Sequence, residues 1–268
     1  MKTSILNQIL LFLTTLMVVL GSCTQESTNE LESETQKILN FLSQNYGFDK
    51  KDLKVDKEYI VAESDIIFPI IDFWENYGNI DHQDKHSLQE RIHRKSSVKV
   101  FVPNKGKKYI DVYYSASLST PWRNALIDAI IEWNLLNGKI IFKGPYIMPF
   151  ALPVGNIVVT PKGDMQKDIL GESYSPDNKG NPGSHIFVNK YRALTHTHMK
   201  LTLAHELGHT IGFMHTNTND GLKLYTNNYT CDNKSDTKSV MCAGDKNGVV
   251  WNGFSLCDKK AFYSLYPL

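Results

Sequence analysis

The stretch that most constrains this chain is His205-Glu206-Leu207-Gly208-His209-Thr210-Ile211-Gly212-Phe213-Met214-His215. Apolar residues recur here at helical spacing and predict a helix from Met199 to about Ile211. On such a helix His205 and His209 stand one turn apart on the same face, so both can offer a ring nitrogen to one ion at about 2.0–2.1 Å. His215 lies six residues past His209, about 600° further round at about 100° per residue, and a straight helix would turn it away. Gly212 is where the direction can change. Glycine takes φ > 0 without a Cβ clash, ends the helix and lets the chain fold back under the ion. Three neutral imidazoles leave a fourth tetrahedral position for water, the arrangement of a catalytic rather than a structural zinc site.

Glu206 follows the first histidine by one residue, about 100° round the helix, within reach of a metal-bound water without being a ligand. It is the candidate general base. Zinc lowers the pKa of bound water from about 15.7 to about 7, so a nearby carboxylate can take the proton and return it to a leaving amine. Peptide-bond hydrolysis is the reaction these residues imply. Five fixed positions would coincide by accident in roughly one in ten thousand chains of this length, which sets aside a solvated helix face that happens to spell the pattern.

The pattern H-E-x-x-H-x-x-G-x-x-H, followed by Ser239-Val240-Met241-Cys242, resembles the metzincin zinc endopeptidases, the clan of astacins, matrixins and serralysins. The resemblance covers about 110 to 268 and is nearest to bacterial secreted members of astacin-like or matrixin-like type. It implies an α+β catalytic domain with a twisted, mostly parallel sheet, a backing helix, an active-site helix and a small irregular C-terminal subdomain. It also implies one Zn2+ held by His205, His209 and His215, Met241 beneath them as the floor of a Met-turn, and protein or peptide substrates. An edge strand that pairs with extended substrate is expected at His185 to Asn189. Where astacins carry a Glu after the third His and a Tyr two residues after the Met, this chain has Thr216 and Ala243, so a tyrosine fifth ligand is unsupported.

The N-terminal part reads as an address and a leader. Met1-Lys2 precedes an apolar run, Ile9 to Leu20, of signal-peptide length and short of the about 20 apolar residues of a spanning helix. Leu20-Gly21-Ser22-Cys23 resembles the bacterial lipobox, in which Cys23 is acylated; an ordinary secretory peptide with Cys23 as bystander is the alternative. Residues 1–22 are then a lipoprotein signal peptide and 23–35 a polar tether. The protein is expected in the cell envelope, on the outer membrane or cell surface, with release after processing as a variant. Residues 24–95 hold nine Lys/Arg and fifteen Asp/Glu (net −6), and 96–268 hold nineteen and thirteen (net +6). A boundary at about 108 shrinks these to −2 and +2 but keeps the sign. An acidic leader before a basic body suggests a pro-segment over 36–95, ending between 95 and 108, ahead of a catalytic domain at 96–268; a separate binding module is the alternative.

Val61-Ala62-Glu63-Ser64-Asp65-Ile66 is similar to the F-x-G-D-I stretch with which astacin pro-segments put an Asp on the zinc. Asp65 is therefore a possible latency ligand. Ser64 replaces the expected Gly, and a solvated surface carboxylate is the favoured reading of Asp65. No cysteine lies between 24 and 95, which excludes a thiolate switch.

In the body, Ile110 to Tyr114, Lys139 to Lys143, Asn156 to Thr160 and His185 to Asn189 read as strands, and Trp122 to Leu136 as a helix with Thr120 as its cap. Cys231, Cys242 and Cys257 allow three pairings, and an exported setting favours one bridge without choosing it. His82 and His86, in a segment polar on every face, read as solvated, and His196 and His198 as a loop leading into the active-site helix. The sequons at Asn228 and Asn233 read as exposed loop. With 29 basic against 28 acidic residues, net +1, the basic excess of a nucleic-acid binder is missing. A monomeric, lipid-anchored zinc endopeptidase made as a zymogen is the expectation. Its rival is a surface zinc-binding or adhesion module with little or no turnover.

Overall fold

The computed structural model describes residues 32–56, 58–78, 93–95, 99–216, 222–224, 236, 238–242 and 251–267. Cys23, His82, His86, Asn228, Cys231, Asn233 and Ala243 lie outside them. In the leader, helix α1 (32–41) runs into a π turn, Leu42–Tyr46, and stops at Gly47, whose φ of 80° suits glycine. A 3-10 turn at Lys50–Asp52 then leads into the meander β1 (Leu53–Asp56), β2 (Tyr59–Ala62) and β3 (Ile66–Pro69), followed by the short helix α2 (Phe73–Tyr77). Next come β4 (His93–Lys95), β5 (Lys108–Tyr114), α3 (Thr120–Leu135), β6 (Ile140–Ile147), β7 (Ile157–Lys162), β8 (Gly171–Tyr174) and β9 (His185–Asn189). The chain closes with α4 (His196–Thr210), β10 (Phe213–Met214), β11 (Leu222–Leu224) and α5 (Leu256–Leu265). Among the described residues no helix is long and apolar enough to cross a membrane.

Eight strands form one sheet in the order β1-β2-β3-β8-β9-β7-β5-β6. Strands β6, β5, β7 and β9 are parallel, β8 runs antiparallel to β9, and the leader's β3 joins β8 in parallel. This is the expected α+β, mostly parallel architecture. Inward residues of the strands (Ile110, Val112, Phe142, Ile157, Ile186, Val188) meet Leu126, Ala129, Ile130 and Trp133 of α3 and Leu203, Ala204 and Leu207 of α4 in one core. Each Val, Leu, Ile or Phe side chain among them contributes about 1.5–3 kcal/mol by leaving water. Trp133 locks the two helices together. Its ring packs against Phe142, Phe213, Phe254 and Phe262, and its Nε1 donates to Ala204 O at 2.9 Å, so no polar atom of the indole is stranded. The α3 helix stops just short of Gly138, where any Cβ would lie 2.2 Å from Phe262 Cε1.

Three expectations need correction. The strand His185–Asn189 is not at an edge: β7 and β8 flank it on both sides, and the body's last strand on that side is β8, whose four residues lack the alternation that would have announced it. The cap of α3 is Ser119, one residue before Thr120. His196 and His198 belong to the first turn of α4, which starts three residues early because Thr195 caps it by accepting from the His198 N–H.

The leader does not stand apart from the body. Ile38, Leu42 and Tyr46, four residues apart on one helical face, bury against Ile60, Ala62, Ile66 and Phe68 together with Phe73, Tyr77 and the body's Met214. Its sheet continues the body's, and β4, just before the expected boundary, pairs with β10 and β11.

Candidate metal centre

Helix α4 brings His205 and His209 to one buried face, and the helix ends at Ile211. Gly212 then takes φ 105° and its N–H donates to His209 O at 3.0 Å. Only a residue without a Cβ holds that bend at little cost. The chain reverses through β10, and His215 comes back to the other two. The Nε2 atoms of His205, His209 and His215 lie 3.0, 3.0 and 3.2 Å from one another.

On the far side of each ring an oxygen faces Nδ1: Val240 O at 2.7 Å from His205, Phe213 O at 2.8 Å from His209, and Glu63 Oε2 at 2.9 Å from His215. Acceptors there keep the protons of His205 and His209 on Nδ1 and turn those two Nε2 lone pairs inward, while behind His215 the Glu63 carboxylate stands as an ion-pair neighbour. Nitrogens crowded together in this way in a buried pocket repel unless a cation sits between them. A tetrahedral ion with bonds of about 2.0–2.1 Å needs donors about 3.3–3.4 Å apart, close to the separations found. The side chains therefore fit zinc.

A fourth donor comes from the leader. Asp65 Oδ2 lies 3.0 Å from His215 Nε2 and 3.3 Å from His205 Nε2, and its Oδ1 is 3.7 Å from His209 Nε2. The four donor atoms lie within 4.8 Å of one another. Asp65 is thus not the solvated surface residue that the sequence favoured. Its Oδ1 is buried without a hydrogen-bond partner among the described residues, as expected of an oxygen meant for an ion. Burial pushes the Asp65 carboxyl up, but His215, His205 and His209 outweigh it and hold it below the usual carboxylate range. Burial and the His205 ring hold His209 well down, hence neutral. Burial also pulls His215 down, but Asp65 and Glu63 raise it by more, to about 10: the two carboxylates call for positive charge at this spot.

Glu206 stands outside this donor set. Ser173 Oγ donates to its Oε2 at 2.7 Å, and Gly171 gives it room, since a Cβ there would lie 2.6 Å from Oε1. Burial pushes its carboxyl well up and the Asp65 charge adds to the shift, while the Ser173 hydroxyl opposes it. Met241 is buried under α4, its Sδ where a Cβ on Gly208 would fall. The turn carrying it is bonded on both sides of the centre, by His205 Nδ1 to Val240 O and by the Thr216 N–H to Met241 O at 2.9 Å.

That turn hangs on α5. Buried Asp258 accepts from Ser239 Oγ at 2.5 Å, Val240 N at 3.0 Å and Ser255 N at 2.9 Å. Bonds to a charged acceptor contribute about 1.5–3 kcal/mol each and leave orphan donors when it goes. Asp258→Ala is therefore expected to lower the unfolding free energy of the full chain by about 3 kcal/mol or more in a urea titration. A loss under about 1 kcal/mol would show that water replaces the carboxylate. Asp258 is also the N3 residue of the Ser255-x-x-Asp258 capping box that opens α5, and the sequence reading singled out neither residue. Sequence reasoning also missed Glu63, Ser173 and Gly171, which no local signal marks.

The weaker candidates fall elsewhere. His196 Nε2 pairs with exposed Asp128 at 2.7 Å, and His185 Nδ1 lies 2.8 Å from Ser184 Oγ on the inner strand β9. Cys257 is disulfide-bonded, to a partner outside the described residues.

No protein-family model matches the sequence, and no curated protein matches it. Among solved structures the chain is similar to two structures of myroilysin, at 18% identity with TM-score 0.41 and at 16% with 0.37. These alignments cover 66% and 68% of this chain and 98% and 100% of the other. It is also similar to high choriolytic enzyme 1, a hatching enzyme zinc-protease from Oryzias latipes (Medaka fish), at 16% identity and TM-score 0.40, over 63% of this chain and 94% of that one.

Proposed function

We propose that this chain is a zinc endopeptidase made as a latent precursor. The observation that carries the reading is the convergence of three Nε2 atoms at 3.0–3.2 Å beside a buried carboxylate, Glu206, that is not in the donor set. A purely structural or adhesive zinc site has no use for that carboxylate. In this reading His205, His209 and His215 hold the ion, which when bound supplies Lewis-acid activation of a water and of the scissile carbonyl. Glu206 takes the proton of the attacking water and hands it to the leaving amine, and the Ser173 hydroxyl keeps the carboxylate aimed. Gly171 leaves the space in which that carboxylate sits.

Latency follows from the leader. Asp65 fills the fourth donor position, and Ile66 and Ile67 lie on Ser173 and Tyr174 of β8, with the Ser173 N–H donating to Asp65 O at 2.8 Å. An extended substrate that adds to β8 through backbone bonds would need the edge that β3 covers. Both the ion's open position and the docking edge are thus taken at once, and removing the leader would release both.

The test uses purified full-length protein, with and without limited trypsin treatment. One zinc per chain, casein digestion that appears only after treatment, its loss to 1,10-phenanthroline and its return with added Zn2+ are expected. One zinc per chain with no digestion under any treatment would favour the binding module.

A further inference from the structure

We propose that Glu63, at the tip of the β2–β3 hairpin, is a positioning residue that orients His215 toward the metal, so the ion is held more tightly while the leader is docked. This rests on the zinc reading above and adds a second task to the leader: it completes the centre it blocks.

The three rings are not supported alike. His205 and His209 direct Nδ1 at backbone carbonyls outside the leader, Val240 and Phe213. The Nδ1 of His215 faces a side chain of the leader, Glu63 Oε2 at 2.9 Å, and the same oxygen accepts from the His215 backbone N–H at 3.4 Å. Both side chains are fully buried. Two residues further on, Asp65 Oδ2 lies 3.0 Å from Nε2 of the same ring. The hairpin tip thus grips one imidazole at both nitrogens, with one carboxylate on the metal side and the other behind it.

Local preference does not explain this tip. Glu63 has φ 52° and Ser64 φ 84°, a pair of left-handed residues that two-residue turns normally give to Asn-Gly. Side chains with a Cβ keep such backbone angles when their surroundings over-determine them. A glutamate in a tight turn would ordinarily point to water, yet this one is turned inward and desolvated, which is costly unless it meets positive charge or a strong donor. A metal-bound imidazole is such a donor. A carboxylate behind a ligating histidine fixes its tautomer and raises its basicity, and losing such a partner typically weakens metal binding by about 10–100-fold. Coupling of this kind is reciprocal: if the docked leader tightens the metal, the metal tightens the leader by the same factor.

The experiment uses the full chain carrying Glu206→Gln, which prevents self-cleavage, and measures zinc dissociation by competition with a chromophoric chelator. Glu63→Ala is expected to weaken zinc by about 10–100-fold. Glu63→Gln, which keeps a carbonyl oxygen at the place beside Nδ1 that the carboxylate holds, should restore affinity to within a few-fold of the parent. A merely structural residue would lower the melting temperature of the metal-free chain without this split between Ala and Gln. Parental zinc affinity in Glu63→Ala, or equal losses in both variants, overturns the proposal. Should Glu63→Ala not fold, the Nδ1–H proton resonance of His215 in the zinc-loaded parent and Glu63→Gln chains decides: it should move upfield when an amide replaces the carboxylate, and an unmoved signal is the contrary result. A parent chain that binds no zinc would instead bring down the zinc reading itself, a failure distinct from that of the Glu63 variants.

Discussion

Glu206→Gln is expected to cut casein digestion by the processed chain about 10²–10⁴-fold while one zinc per chain stays bound. The range corresponds to about 2.7–5.4 kcal/mol of barrier. Glutamine has the shape of glutamate, keeps an oxygen for the Ser173 hydroxyl and fits the space left by Gly171, so the fold and the donor set are undisturbed. What it cannot do is accept a proton from water. The assignment makes a divided forecast, because activity should vanish and metal content should not. Loss of the zinc along with activity would place Glu206 among the ligands, and a variant as fast as the parent would move the base to another group.

Asp65→Ala in the full-length, uncleaved chain is expected to raise casein digestion at least about tenfold over the uncleaved parent, one decade being about 1.4 kcal/mol of lost leader affinity. Three contacts between the Asp65 carboxylate and the imidazoles disappear, and the fourth donor position opens. The leader's helix, meander and apolar cluster do not involve this side chain, so the precursor should still fold. Full activity is not expected, since Ile66 and Ile67 would still occupy the edge of β8 until processing. A variant as silent as the parent would mean that strand pairing alone imposes latency.

How much of this was legible beforehand depends on how local each signal is. The four-residue spacing of His205 and His209 and the bend at Gly212 were readable because each is a matter of a single turn of chain, whereas Met241 came only with the family resemblance. The strand β8 was not, since Gly171-Glu172-Ser173-Tyr174 is short and its residues are buried on both faces by neighbours far away in sequence. Asp65 was misjudged for a similar reason. A serine at the expected glycine position argued against Asp65 as a latency ligand, but the docked leader holds Ser64 in the left-handed conformation that a glycine would have taken freely. Glu63 carries no local mark at all, because its partner lies 152 residues away.

The amino-acid order alone determined which atoms could meet on one helical face and where the backbone could turn, for those depend on the pitch of a helix and on the one residue without a Cβ. Only the tertiary structure decided which oxygens stand behind the imidazoles, that β8 rather than β9 is the body's last strand on the leader's side, and that the leader extends the body's sheet and reaches its three histidines with two carboxylates. Those choices belong to the burial of whole surfaces against each other, where the partner of each group is set by packing and not by any spacing along the chain.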